Sequence, residues 1–516
     1  MNVLVFVGGV VLWTLLQWWA KGRSKRLPPG PKPLPLIGNL LDFALKELWL
    51  RANTWADKYG DVVYVHIFGQ GILFLNTFEA TVDLLDKRGG PYAGRPYTVM
   101  CSELCGCENI TAFAQHGPMF RRHRRLMQYA LAPASIMAYR PVVIAETYAF
   151  LERMSGSPQD YLRHLKRFIG SQTLSTLYGY TVDSDDDPYL RAMNRTLHLL
   201  SNHIASLGAG LWMVDIFPAL KYLPAWFPGA GFKRQAATWK RQIEESARLP
   251  YEWAKQGLEK DTAASSYCTV LLEKLTENGA LSPDDDLDIR WIAATLYIAS
   301  LDTNLTLILH FILAMVRYPH VARKAQEEID EVLRGSRLPT IDDRPMLPYV
   351  DALMSEVLRW TAPAPLGPPH RLDEDDVYNG MSIPKGTLVF ANIWRMTRDP
   401  ELFPNPEDFI PERYLEAADE ATAKKRDPRS YIFGFGRRRC PGANFVESSL
   451  WLVFAGMLAT FDFRKAKDEE GNDIEPEPEY VDVTFRLFAE FPCDIRPRSE
   501  HAVKLVQEAR ARCSST

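Results

Sequence analysis

The sequence predicts a mostly helical α+β fold, one large domain behind an N-terminal membrane-spanning helix. Three observations predict it. An apolar-rich stretch from about Asp288 to Arg317 stops at Pro319 and, as a helix, would extend about 45 Å, enough to cross a whole domain. Amphipathic helical patterns follow at about His320–Leu333 and Leu347–Trp360, the second ending before Pro363. Strand signals are few and short: residues 62–76, residues 377–393 around Asn379-Gly380, and residues 479–496.

With 516 residues, 47% of them hydrophobic, the chain can bury a large core. A net charge of −4 gives no global pointer to nucleic acid. The acidic runs Asp183–Asp187 and Asp284–Asp288 read as solvated loops. Seven cysteines, an odd number spread along the chain, argue for a reducing compartment and against a disulfide framework. Cys101, Cys105 and Cys107 form the one cluster. It lacks the second ligand pair of a zinc site and reads as buried or loop thiols.

Val3 to Ala20 is almost wholly apolar, with Thr14 and Gln17 the polar breaks. As a helix it would extend about 27 Å, close to the hydrocarbon thickness of a bilayer. Trp13, Trp18 and Trp19 suit the membrane interface. The charge of Lys21, Arg23, Lys25 and Arg26 follows the apolar stretch instead of preceding it, and there is no small-residue cleavage site, so a cleaved signal peptide is not the reading. The basic flank keeps the following chain cytosolic. Residues 1–20 are therefore expected to be the anchor, residues 21–33 a basic and proline-stiffened hinge, and residues 34–516 the large domain.

The segment richest in chemistry is Phe433-Gly434-Phe435-Gly436-Arg437-Arg438-Arg439-Cys440-Pro441-Gly442. Its glycines let the backbone turn tightly and approach something flat. Pro441 is placed to open a helix, whose positive end and amide donors favour an ionised cysteine. Such a thiolate is a metal ligand or a nucleophile, and no local signature supplies a histidine base for the second role.

This segment resembles the Phe-x-x-Gly-x-Arg-x-Cys-x-Gly signature of cytochromes P-450, matched at Phe433, Gly436, Arg438, Cys440 and Gly442. The resemblance implies haem b bound among these residues, with Cys440 as the axial thiolate to iron. It extends, in family order, over nearly the whole chain. Glu356 and Arg359 resemble the family's Glu-x-x-Arg, and with Arg413 of Pro411-Glu412-Arg413-Tyr414 they imply a buried structural network. Ala299-Ser300-Leu301-Asp302-Thr303-Asn304 resembles the acid–alcohol turn that steers protons to iron-bound dioxygen, which assigns that role to Asp302 and Thr303. Ser300 stands there in place of glycine and Asn304 in place of a hydroxyl residue, each able to hold water. Arg124 fits the arginine of the family's Trp-x-x-x-Arg helix, but Phe120 replaces the tryptophan and removes an N–H donor. With Arg438 and His370, Arg124 is expected to meet the haem propionates, whereas Arg121, Arg122 and Arg125 are expected to be solvated.

The implied function is a monooxygenase inserting one atom of dioxygen into a lipophilic small molecule, in the style of fungal enzymes that modify terpenoids, polyketides or indoles. No complete Gly-x-Gly-x-x-Gly follows a strand. Electrons are therefore expected from NADPH through a cytochrome P-450 reductase on the endoplasmic reticulum membrane, with cytochrome b5 as a second donor. A haem-thiolate isomerase or dehydratase, needing no external electrons, and a non-enzymatic haem-binding protein are the alternatives. The retained acid–alcohol pair weighs against the former. Residues 92–118, 198–232, 365–370 and 484–490 are the expected pocket walls, and Tyr222–Pro228 is expected to touch the bilayer.

Overall fold

The computed structural model describes residues 26–43, 46–204, 212–277, 279–481 and 484–514. The predicted anchor, residues 1–20, and its flank to residue 25 lie outside them. Among the described residues the strands are β1 (Val62–Ile67), β2 (Gln70–Leu75), β3 (His370–Arg371), β4 (Asp376–Tyr378), β5 (Met381–Ile383), β6 (Leu388–Ala391), β7 (Phe461–Lys465) and β8 (Cys493–Pro497). The longer helices are α1 (Leu48–Tyr59), α2 (Pro118–Ala130), α3 (Pro133–Gly156), α4 (Tyr161–Tyr178), α5 (Pro188–Leu199), α6 (Gly231–Glu259), α7 (Tyr267–Thr276), α8 (Pro283–Arg317), α9 (Pro319–Leu333), α10 (Pro348–Thr361), α11 (Ala443–Thr460) and α12 (Glu500–Ser514).

The β-branched and aromatic residues of β1 and β2 pair antiparallel, Val62 opposite Leu75. Phe68 and Gly69 close this hairpin with φ of 48° and 84°, the two-residue geometry that matches strand twist. The sheet runs β1-β2-β6-β3, with β2 and β6 parallel. Asn379-Gly380 turns β4 into β5 in the same way, both residues at positive φ. In the predicted strand region 479–496, Tyr480 bridges Phe488, and Ile495 of β8 pairs with Phe463 of β7.

The helix α8 begins five residues before its predicted start, and the difference corrects the reading of the acidic run. The Ser282 hydroxyl accepts from the Asp285 amide, Pro283 opens the first turn, and Asp284–Asp286 lie at the positive end of the helix. Asp286 accepts from the Tyr251 hydroxyl and from Lys255, and Asp288 is buried. The other run departs similarly: Asp187 is a buried cap of α5, accepting from the amides of Tyr189 and Leu190 and from the Tyr180 hydroxyl. Spacing along the chain could not show these partners, which come from other elements.

At the centre, α8 packs against α10 and α11. Phe311 of α8 stacks on Phe454 of α11 with ring centroids 4.3 Å apart, beside the fully buried Trp451. Both α8 and α11 are apolar and long enough to cross a bilayer, yet both sit mostly inside the protein. They are core helices; α8 carries the segment with Asp302 and Thr303, and α11 follows directly on the Cys440 segment.

Candidate active site

The Cys440 loop is held by its backbone. The Cys440 amide donates to the Phe433 carbonyl at 2.7 Å. Gly436 has φ of 55°, and a Cβ there would lie 2.0 Å from the Leu85 carbonyl oxygen, so only glycine fits. Its amide donates to the Asp86 carboxylate. Pro441 does not open the following helix. Gly442 is the cap and Ala443 the first residue of α11, which leaves the amides of Gly442 and Ala443 to donate to the Cys440 sulfur.

Cys440 is exposed, although protein flanks its sulfur closely. Burial pushes its thiol above the ordinary value, and the two amides together with Arg124 and Arg439 only partly offset this. The amides favour the ionised form, as the turn leads one to expect, but burial outweighs them. A cation bound to the sulfur would favour the thiolate here.

Positive charge collects near this loop, and the one acid that acts on Arg438, Asp373, does so without forming an ion pair among the described residues. Arg438 donates to the carbonyls of Ala93 (2.7 Å), Thr111 (3.3 Å) and Ala114 (2.7 Å). Burial, then the charges of Arg95 and Arg124, lower its pKa to about 8. The phenyl ring of Phe120 takes the place beneath Arg438, 3.8 Å from the guanidinium carbon. Arg95 escaped the sequence reading. It is buried, donates to the carbonyls of Ala112, Pro368 and Pro369, and burial lowers its pKa to about 10. Among the described residues no carboxylate pairs with Arg95, Arg124 or Arg438. His370 is buried beside them, bonded through Nδ1 to the Tyr92 carbonyl at 2.8 Å. Burial, then Arg95, lowers its pKa to about 3, so the ring is neutral.

Arg121 and Arg125 are exposed, but Arg122 corrects the expectation: it forks onto buried Asp288 with bonds of 2.7 and 3.1 Å.

On α8, residues 291–295 and 304–316 are buried on either side of one open turn, where Ala299 is exposed. The Asp302 carboxylate in that turn accepts from the Ser201 hydroxyl at 2.9 Å. Thr303 donates back to the Ala299 carbonyl at 2.7 Å. The Ser300 hydroxyl donates to the Tyr297 carbonyl and meets Thr173 of α4 at 3.1 Å, so it ties two helices together. Asn304 is buried, and its side-chain oxygen has no protein partner among the described residues.

Behind the loop, Arg359 donates to both oxygens of Glu356 at 2.7 Å and to the carbonyls of Thr397, Pro406 and Asp408. These five bonds use all five N–H donors of the guanidinium. Arg413 donates to the same carboxylate at 3.2 Å and to the Pro404 carbonyl, and Glu356 also accepts from the Ile410 amide. All three side chains are buried.

Of the expected pocket walls, the segment around residue 100 is fixed by Asp215, which accepts from the Met100 amide, and by the Lys221–Glu103 ion pair at 2.9 Å. Cys101, Cys105 and Cys107 are buried there, and burial pushes the Cys105 thiol up to about 12. Tyr222 and Trp226 project outward, 79% and 77% exposed.

An enclosed cysteine beside arginines that have no ion-paired carboxylate among the described residues is compatible with a metal group that carries carboxylate arms. That is the build of a haem-thiolate protein. Comparison with known proteins agrees. Residues 28–485 match the family model described as Cytochrome P450, and the chain belongs to that family. It is 39% identical over its full length to Cytochrome P450 monooxygenase 176 of Postia placenta, covering 98% of that protein. Cytochrome P450 monooxygenase claT of Ampulloclitocybe clavipes is 38% identical, with 97% of each chain covered. Tryptamine 4-monooxygenase of Psilocybe cyanescens is 37% identical over 94% of this chain and 95% of that protein. The protein is a cytochrome P450 monooxygenase, and its family implies a haem-thiolate iron.

Proposed function

We propose that Cys440 would supply the thiolate ligand to a haem iron, and that Arg124 and Arg438, with Arg95, would hold the haem carboxylates beside neutral His370. The supporting observation is the pairing of an exposed but closely flanked thiol with a cluster of cations that form no ion pair with an acid among the described residues. Haem, when bound, supplies the activation of dioxygen and the transfer of one oxygen atom to substrate. The amides of Gly442 and Ala443 hold the sulfur lone pairs. Phe433 and Gly436 shape the loop, while Glu356, Arg359 and Arg413 keep the chain behind it in place. Asp302 and Thr303 hold and pass protons at the open turn of α8, with Ser201 orienting the acid.

The substrate is a lipophilic small molecule of specialised metabolism, a reading supported by apolar wall segments and by relatives that include a tryptamine 4-monooxygenase. Electrons come from NADPH through a membrane-bound reductase, with cytochrome b5 as a second donor. The apolar segment 3–20 anchors the chain in the endoplasmic reticulum, and exposed Tyr222 and Trp226 rest against the bilayer.

The test is Cys440→Ser in the full-length protein. The thiolate-type carbon monoxide spectrum and NADPH-coupled product formation should both disappear while the helical circular dichroism persists. Retention of the spectrum would overturn the ligand assignment. Turnover of the wild-type enzyme on NADPH without a reductase would overturn the electron route.

A further inference from the structure

We propose that the buried Thr111–His123–Asp288 network positions Arg438, making His123 a positioning residue of the haem site. The proposal rests on the reading that Arg438 faces a haem carboxylate.

Thr111 is tied on three sides. Its amide donates to the Thr295 hydroxyl of α8 at 3.1 Å. Its own hydroxyl meets His123 Nδ1 of α2 at 2.8 Å. Its carbonyl is one of the three acceptors that hold the Arg438 guanidinium. His123 Nε2 in turn meets Asp288 Oδ1 at 3.0 Å. Thr111, His123 and Asp288 are only 5%, 1% and 2% exposed.

The chemistry fixes the direction of these bonds. A carboxylate only accepts, so Nε2 carries the proton and donates to Asp288. Nδ1 then accepts the Thr111 hydroxyl proton. Burial, acting against the attraction of Asp288, lowers the His123 pKa below its ordinary value. The neutral ring offers the one donor and one acceptor that the two partners need.

A purely architectural role does not account for the arrangement. The Arg122 fork onto Asp288 already joins α2 to α8. What His123 adds is the link to the loop after Ile110. That loop is a compact turn in which the amides of Phe113 and Ala114 both donate to the Ile110 carbonyl. A shift of Thr111 therefore carries Ala114 with it, and Ala114 is a second Arg438 acceptor. Because Arg438 forms no ion pair with an acid among the described residues, these carbonyls and the Phe120 ring aim it.

The experiment compares His123→Phe, Thr111→Val, the double variant and His123→Gln in the full-length, haem-loaded protein. Leu505→Ala, a core cavity on α12, serves as a stability control. The readouts are the rate of haem transfer to apomyoglobin, the midpoint potential of the iron, and Tm. Losing one buried hydrogen bond of about 1.4 kcal/mol corresponds to a roughly tenfold change. His123→Phe and Thr111→Val should each speed haem loss about tenfold on that scale and lower the potential, with no further change in the double variant. Gln offers an N–H donor group and an acceptor oxygen and should restore both readouts, and Leu505→Ala should lower Tm alone. Unchanged haem loss, additive effects, or changes that follow Tm as in Leu505→Ala would overturn the proposal. If His123→Phe does not fold, Thr111→Val carries the same test against the control. A wild-type chain that takes up no haem would instead overturn the reading of the site.

Discussion

The guanidinium of Arg438 lies 3.8 Å from the ring centre of Phe120, so the residue standing where the family motif has tryptophan serves as a platform for a cation. A desolvated cation–π contact contributes about 1–2 kcal/mol. Phe120→Ala should therefore speed haem loss by about tenfold or more. Phe120→Trp should keep the platform, add an N–H donor and slow haem loss relative to wild type. Stopped-flow transfer of haem to apomyoglobin measures both.

Removing the carboxylate between two buried arginines is expected to be severe. Glu356→Gln leaves Arg359 and Arg413 without their shared anion, at a cost of about 3–5 kcal/mol. Arg359→Lys should fail as well, since three N–H donors replace the five that are bonded. The haem-to-protein absorbance ratio of purified variants should fall in both cases, together with Tm.

His310 gives a pH-dependent prediction. It is buried against Trp360 and Phe488, bonds through Nδ1 to the Thr306 carbonyl, and has no partner for Nε2 among the described residues. Burial, then the charges of Arg486 and its neighbours, holds its pKa well below the ordinary value of 6.5. The unfolded chain takes up a proton below that pH and the folded one does not, so this residue lowers stability as the pH falls through about 6. His310→Phe should stay within about 1 kcal/mol of wild type at pH 7.5. It should become the more stable protein at pH 5, as urea denaturation at the two pH values would show.

The two departures from the family's acid–alcohol turn have different weights. Ser300→Gly removes a hydroxyl engaged with Tyr297 and Thr173 and places glycine inside a helix. About 1–2 kcal/mol of stability should be lost, while product formed per NADPH is maintained. Thr303→Val should do the reverse, leaving Tm nearly unchanged and lowering product per NADPH. Parallel assays of NADPH oxidation and product separate the two.

Much of this architecture was legible because its signals are local. The pattern of α8, α9 and α10 placed their ends within a few residues, and the Asn379-Gly380 turn fell where it was expected. The cysteine loop was legible as a motif, but the balance of forces on its sulfur was not, because burial is a property of the folded surroundings. The same reason hid Arg95, whose acceptors lie as far away as Pro369, and Asp288, whose partners Arg122 and His123 come from α2. A run of aspartates looks like a solvated loop until another helix supplies the cation. Ser300 stood out as able to hold water, and only the position of α4 shows that its hydroxyl also meets Thr173.

The buried bonds of Arg359 also impose an order of events. Its carbonyl acceptors at 397, 406 and 408, and the Arg413 that shares Glu356, all lie downstream of α10 in the chain. A nascent polypeptide emerging from the ribosome must therefore keep α10 open to water until the segment through residue 413 has been made. Cys440 emerges later still. Prosthetic-group insertion is thereby deferred to the end of synthesis, and a chain cut short before this segment should be seen by quality control as unfinished.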